Sequence, residues 1–134
     1  MEPSEAFAAI ALAAVSWDGV LSSAGARSLR HSLDYRQPFR TYDEAQMVRL
    51  MDTLLSDLRS KGSQHLTVEA AAVLSPTQRA TAYATATEIM RSDGPLQADE
   101  CNILGNLAEV LELDAELTAA VGRVMDVLHA DLLA

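Results

Sequence analysis

At 134 residues and 49% apolar composition, the chain has the length of one domain and enough material for a core without disulfides or a structural metal. The single Cys101 excludes an internal disulfide and a cysteine zinc cluster, and a formal charge of −9 argues against nucleic acid or anionic lipid as partners. That charge is uneven, because residues 1–67 hold seven Lys/Arg against eight Asp/Glu whereas residues 68–134 hold three against eleven.

Taken in order, the pattern predicts about seven helices and no strand. The apolar run Ala6–Val15 is too short to cross a bilayer, and its acidic flank, Glu2 to Glu5, is unlike the basic start of an export signal. It is expected as a buried helix from Pro3 to Ser16, with Phe7, Ile10, Ala11 and Ala14 on one stripe. Ser22 caps a second helix reaching Leu33, with Leu29 and Leu33 inward. Residues 34–42 read as a loop anchored by Phe39 and Tyr42. The arginines in and before it (Arg27, Arg30, Arg36, Arg40) read as solvated surface or a counterweight to the acidic half.

A third, long helix begins near Asp43, carries Met47, Leu50, Met51, Leu54 and Leu58 on its apolar face, and stops at Lys61-Gly62. A short fourth helix is expected over Val68–Leu74 behind a Thr67 cap. Ser75-Pro76-Thr77-Gln78 is a capping box with proline at the first helical position, opening a fifth helix to Arg91 with Ala80, Tyr83, Ala84 and Met90 inward. The sixth covers about Ala98–Glu112 and presents Ile103, Leu104, Leu107, Val110 and Leu111, among which Cys101 is expected as a packed thiol. Asp114 caps the seventh, whose face reads Leu117, Val121, Val124, Met125 and Leu128.

The chain also repeats at an offset of 75 residues: Asp18-Gly19 with Asp93-Gly94, Leu21 with Leu96, Ala9 with Ala84, Ala11 with Ala86, and Leu29 with Leu104. The expected fold is therefore all-α, one domain spanning residues 1–134. It is a bundle of about seven helices with a two-fold helix-turn-helix repeat, its halves at about 5–34 and 80–109.

Chemistry concentrates at the second turn. A helix C-terminus gathers unpaired carbonyls, and a glycine beyond it lets the chain turn so that a neighbouring aspartate joins them in a hard-oxygen environment. Asp93-Gly94-Pro95-Leu96 followed by Glu100 matches the back half of an EF-hand loop, but the front-half ligand positions hold Ile89 and Arg91, so a complete EF-hand is excluded. Two readings stay open. Asp93, Asp99 and Glu100 form a partial site for Ca²⁺ or Mg²⁺, or Asp93 caps the turn while the other two favour the positive end of helix six. In the first copy Ala24 and Gly25 stand where the carboxylates would be, leaving Asp18 alone. His31, His65 and His129 lie on separate elements and read as surface. No Gly-rich phosphate loop, nucleophile elbow or His-Glu helical metal pair is present, so the chain reads as a non-enzyme.

The stretches Ala11-Leu-Ala-Ala-Val-Ser-Trp-Asp-Gly19 and Ala86-Thr-Glu-Ile-Met-Arg-Ser-Asp-Gly94-Pro-Leu-Gln-Ala-Asp-Glu100 resemble the two halves of tellurite-resistance TerB-like proteins, whose members read Ala-Asp-Gly followed after four or five residues by Glu-Glu. The resemblance implies a cytoplasmic, seven-helix, non-enzymatic module acting in stress-response assemblies near the membrane, with Asp18, Asp93, Asp99 and Glu100 as divalent-metal ligands. Protein partners are implied, but neither nucleic acid nor a transmembrane segment. The sequence departs from the family at Trp17, where alanine is usual, and at Ala24 and Gly25. The competing expectation is a metal-independent adaptor or homodimer using Val48 and Leu55 or the Trp17 turn.

Overall fold

A computed structural model describes residues 1–17, 20–92 and 94–133. Among these the fold is all-helical, with no strand and no helix long and apolar enough to cross a membrane. The helices are α1 (Pro3–Val15), α2 (Ser23–Asp34), α3 (Glu44–Lys61), α4 (Ser63–Ala71), α5 (Pro76–Arg91), α6 (Ala98–Val110) and α7 (Ala115–Leu128), with a 3-10 turn at Phe39–Thr41.

α1 is the axis of the bundle. A helix that is apolar on every side must be covered on every side, and α2, α3, α4 and α5 all pack on it. Every residue from Ala6 to Ala14 is buried, so the single stripe expected from the sequence is replaced by burial around the whole circumference. The alanines make this feasible, because a surface without long side chains lets neighbouring helix axes approach. α5 is the second hub and contacts α2, α6 and α7. It buries Ala82, Tyr83, Ala86, Ile89 and Met90, while the expected Ala80 and Ala84 are only half-buried. Thr85 and Thr87 enter the core by donating their hydroxyls to the carbonyls of Thr81 at 2.8 Å and Tyr83 at 2.9 Å. The same burial pushes the Tyr83 phenol above its ordinary pKa.

Caps fix most boundaries. Ser22, Asp43, Ser75 and Asp114 each accept a hydrogen bond from the backbone N–H three residues on. Phe39 and Tyr42 anchor the α2–α3 connection edge to face, their ring centroids 5.6 Å apart. Arg30 joins α2 to α3 through a fork on Glu44, at 3.1 and 3.2 Å, and this holds the Glu44 carboxyl below its ordinary pKa.

Three expectations need correction. α4 occupies Ser63–Ala71, not Val68–Leu74, and Thr67 is not its cap but an interior residue donating to the Ser63 carbonyl at 2.6 Å. The physical reason is Gly62, whose φ of +84° turns the chain between α3 and α4 in one residue, with no side-chain cap to mark the start. Cys101 is exposed, because no residue of the first turn of α6 is buried and the helix meets the core only from Ile103 and Leu104 onward. On α7, Met125 is buried but Val124 and Leu128 are 58% and 59% exposed. α7 packs mainly on α5 at the edge of the bundle, so one wall covers only part of its apolar face.

Arg79, in the second turn of α5, ties helix ends together. Its Nη2 donates to the Ala71 carbonyl at 2.8 Å, its Nε to the Ala71 and Leu74 carbonyls at 3.1 and 3.2 Å, and its Nη1 reaches the Leu111 carbonyl at 3.5 Å. A guanidinium thus answers the unpaired carbonyls, and the negative dipole ends, of α4 and α6 together.

Candidate functional site

The α5–α6 turn is built from backbone geometry outward. Ser92 closes α5 by donating its hydroxyl to the Ile89 carbonyl at 2.6 Å, and Gly94 follows with φ +125°, a conformation that excludes most side chains. Leu96 packs on the core and pins the exit of the turn. Glu100 folds back so that its Oε1 accepts from the Gln97 N–H at 2.9 Å, the returning half of a capping box. Asp99 Oδ1 accepts from the Glu100 N–H at 3.0 Å. Two of the four carboxylates that the sequence singles out, Asp99 and Glu100, are therefore neighbours at one helix start, each committing one oxygen to the backbone.

Asp93, and Asp18 with Gly19 at the first turn, lie outside the described residues. Among the described residues no three His, Cys, Asp or Glu side chains stand close enough to hold a metal ion. The missing front half of the loop has a structural counterpart: Ile89 is buried in the core, and Arg91 pairs with Asp126 of α7 at 3.4 Å. Neither serves an ion at this turn.

The first turn is packed differently. Ser16 is buried and donates to the Leu12 carbonyl at 2.8 Å, while Trp17 is 47% exposed. Trp17 stands at a cleft of about 250 Å³ between α1, α4 and α6, across which Asn106 Nδ2 donates to Gln64 Oε1 at 2.6 Å. At the start of α2, a β-carbon added to Gly25 would lie 2.9 Å from Val15 Cγ2 and 3.1 Å from Ser22 Oγ. Gly25 aligns with Glu100, since 25 plus 75 is 100. The first copy thus lacks room for a carboxylate at the position where the second copy has one.

The histidines behave partly as expected. His65 is exposed, 3.6 Å from Glu69. His31 and His129, on separate elements in the sequence, share the wall of a cavity of about 410 Å³ with Glu88, Arg27 and Ser92. Chain spacing carried no signal of that meeting.

Comparison with protein-family models, with curated proteins and with solved structures finds no match to this chain.

Proposed function

We propose that the chain is a non-enzymatic, TerB-like helical binding module that holds a divalent cation weakly at its second inter-helix turn and presents its surface to protein partners in a cytoplasmic stress-response assembly. The observation that carries the reading is the half-used state of the two carboxylates: among the described residues no donor meets Asp99 Oδ2 or Glu100 Oε2. A hard cation takes such oxygens together with backbone carbonyls and water, and so incomplete a set fits the weak end of calcium affinities, roughly millimolar.

Support for the two-fold repeat comes from the helix limits. Adding 75 to Ser23, the first residue of α2, gives 98, the first residue of α6; adding 75 to Val15, the last of α1, gives 90, one short of the end of α5. The repeated pairs Ala11/Ala86 and Leu29/Leu104 are buried in both copies.

Thermal melting tests the cation. Calcium at about ten times its dissociation constant should stabilise the fold by about 1.4 kcal/mol, or roughly 5 °C in Tm. The double variant Asp99→Asn with Glu100→Gln should abolish the rise while lowering the metal-free melt only by the loss of two charges at a helix start, about 0.3–1 kcal/mol each, because glutamine serves equally at the third position of a capping box. The same rise in the variant, or none in the parent with Ca²⁺ or Mg²⁺, would make the turn purely structural.

A second reading, a metal-independent adaptor or homodimer, is favoured by one observation. Val124, Val127 and Leu128 of α7 are 58%, 79% and 59% exposed, a larger apolar surface than Val48 of α3. That reading predicts a solution mass of twice 14.4 kDa that Val127→Asp returns to one chain, with no response to metal; a monomer at high concentration removes the homodimer.

A further inference from the structure

One cavity lies away from the acidic turn. It occupies about 580 Å³ between the starts of α1 and α5 and the connection after α2, within the range of ligand pockets, roughly 300–1,000 Å³. Thr81, its last lining residue on α5, is about 15 Å of helix from Arg91, where α5 ends at the α5–α6 turn. Its apolar wall is Phe7, Phe39 and Leu74, and its polar wall is Ser4, Thr77 and Thr81.

Charge sets it apart. In a chain with nineteen carboxylates and a net charge of −9, the one charged group among the described lining residues is Arg36. Its guanidinium carbon stands 5.2 Å from the Phe7 ring centroid and 4.8 Å from that of Tyr35. Nε donates to the Ser32 carbonyl at 3.0 Å and Nη2 to the Tyr35 hydroxyl at 2.8 Å. Among the described residues Arg30, Arg79 and Arg91 all meet carboxylates, whereas the Arg36 guanidinium donates to a carbonyl and a phenol oxygen and lies against two rings. Nη1 and the second Nη2–H remain, the edge of the fork that takes a carboxylate through two parallel hydrogen bonds. The two rings fix the fork in advance, which lowers the entropic cost of using it.

We propose that this cavity binds a small organic carboxylate with an apolar body, the carboxylate on the Arg36 fork and the body against Phe7, Phe39 and Leu74. The site is independent of the cation reading: it shares no residue with the α5–α6 turn.

The test is an ¹H–¹⁵N titration of the full chain with phenylacetate, and with phenylacetamide as its neutral match. Saturable shifts are expected at the amides of Ser4, Phe7, Arg36, Phe39 and the first turns of α5, with the amide compound binding at least about tenfold more weakly. Arg36→Gln should cost about the same factor while its spectrum stays native elsewhere. Thr81→Trp, which puts a bulky ring into the cavity and leaves the charge, should weaken binding by at least about tenfold, and it decides the matter if the arginine variant fails to fold. Non-saturable shifts at millimolar phenylacetate, equal binding of acid and amide, or shifts confined to another face would overturn the proposal.

Discussion

Alanine in place of Leu12 is expected to lower stability by about 3–5 kcal/mol, the upper part of the range for large-to-small changes in a core. Leu12 is fully buried on the helix that four others surround, and the small residues beside it, Ala8, Ala9, Ala11 and Ala13, offer no flexible side chain to fill the hole. A site that cannot collapse keeps its cavity, and the cost rises with the volume left. In a chain of 134 residues this corresponds to a fall in Tm of roughly 10–20 °C. Val124→Ser is the paired control. The helical period of α7 puts Val124 on the inner stripe, yet it is largely exposed, so the change should cost no more than about 0.5 kcal/mol. Chemical denaturation of both variants measures the difference, and equal losses would mean that α1 is not the axis of the bundle.

The contrast between Leu12 and Val124 shows which kinds of information the chain carries locally. Ser22, Asp43, Ser75 and Asp114 are legible because a cap is a bond between a side chain and its own helix, three residues away. Periodicity likewise identifies residues that share a face, as with Met47, Leu54 and Leu58 on α3. It does not say whether another helix covers that face, so the pattern of α7 predicts more burial than the helix has. The start of α4 leaves no mark in the sequence for a related reason: Gly62 makes the junction with backbone conformation alone.

The candidate sites divide in the same way. Asp99 and Glu100 are adjacent in the chain, so their meeting at one helix start could be read from the residues. Arg36 could not be read so. Its role depends on Phe7, 29 positions earlier, and on a connection that folds back over the start of α1. A surplus arginine in an acidic protein is ordinarily solvated, and the sequence holds no mark that distinguishes Arg36 from Arg27 or Arg40.

Restoring the carboxylates of the first copy should give opposite results at adjacent positions. Ala24 and Gly25 align with Asp99 and Glu100, since 24 plus 75 is 99 and 25 plus 75 is 100. Ala24 is exposed in the first turn of α2, where a negative charge meets the positive helix end, so Ala24→Asp should be neutral or stabilising by a few tenths of a kcal/mol. Gly25→Glu should cost about 3 kcal/mol or more. Its β-carbon would lie 2.9 Å from Val15 Cγ2, on a β-branched side chain with little rotamer freedom, and 3.1 Å from Ser22 Oγ, the group that caps α2. Overpacking of that kind costs about 1–3 kcal/mol, and a carboxylate brought into a buried position adds its own desolvation. Gly25→Ala separates the terms: it meets the same contact without the charge, and a gain of up to about 1 kcal/mol in helix propensity offsets part of the loss. Melting curves of the three variants measured together test the order Ala24→Asp, Gly25→Ala, Gly25→Glu from most to least stable. A stable Gly25→Glu would mean that α1 and α2 are not in close contact, and the steric reason for the lone acidic turn would fall with it.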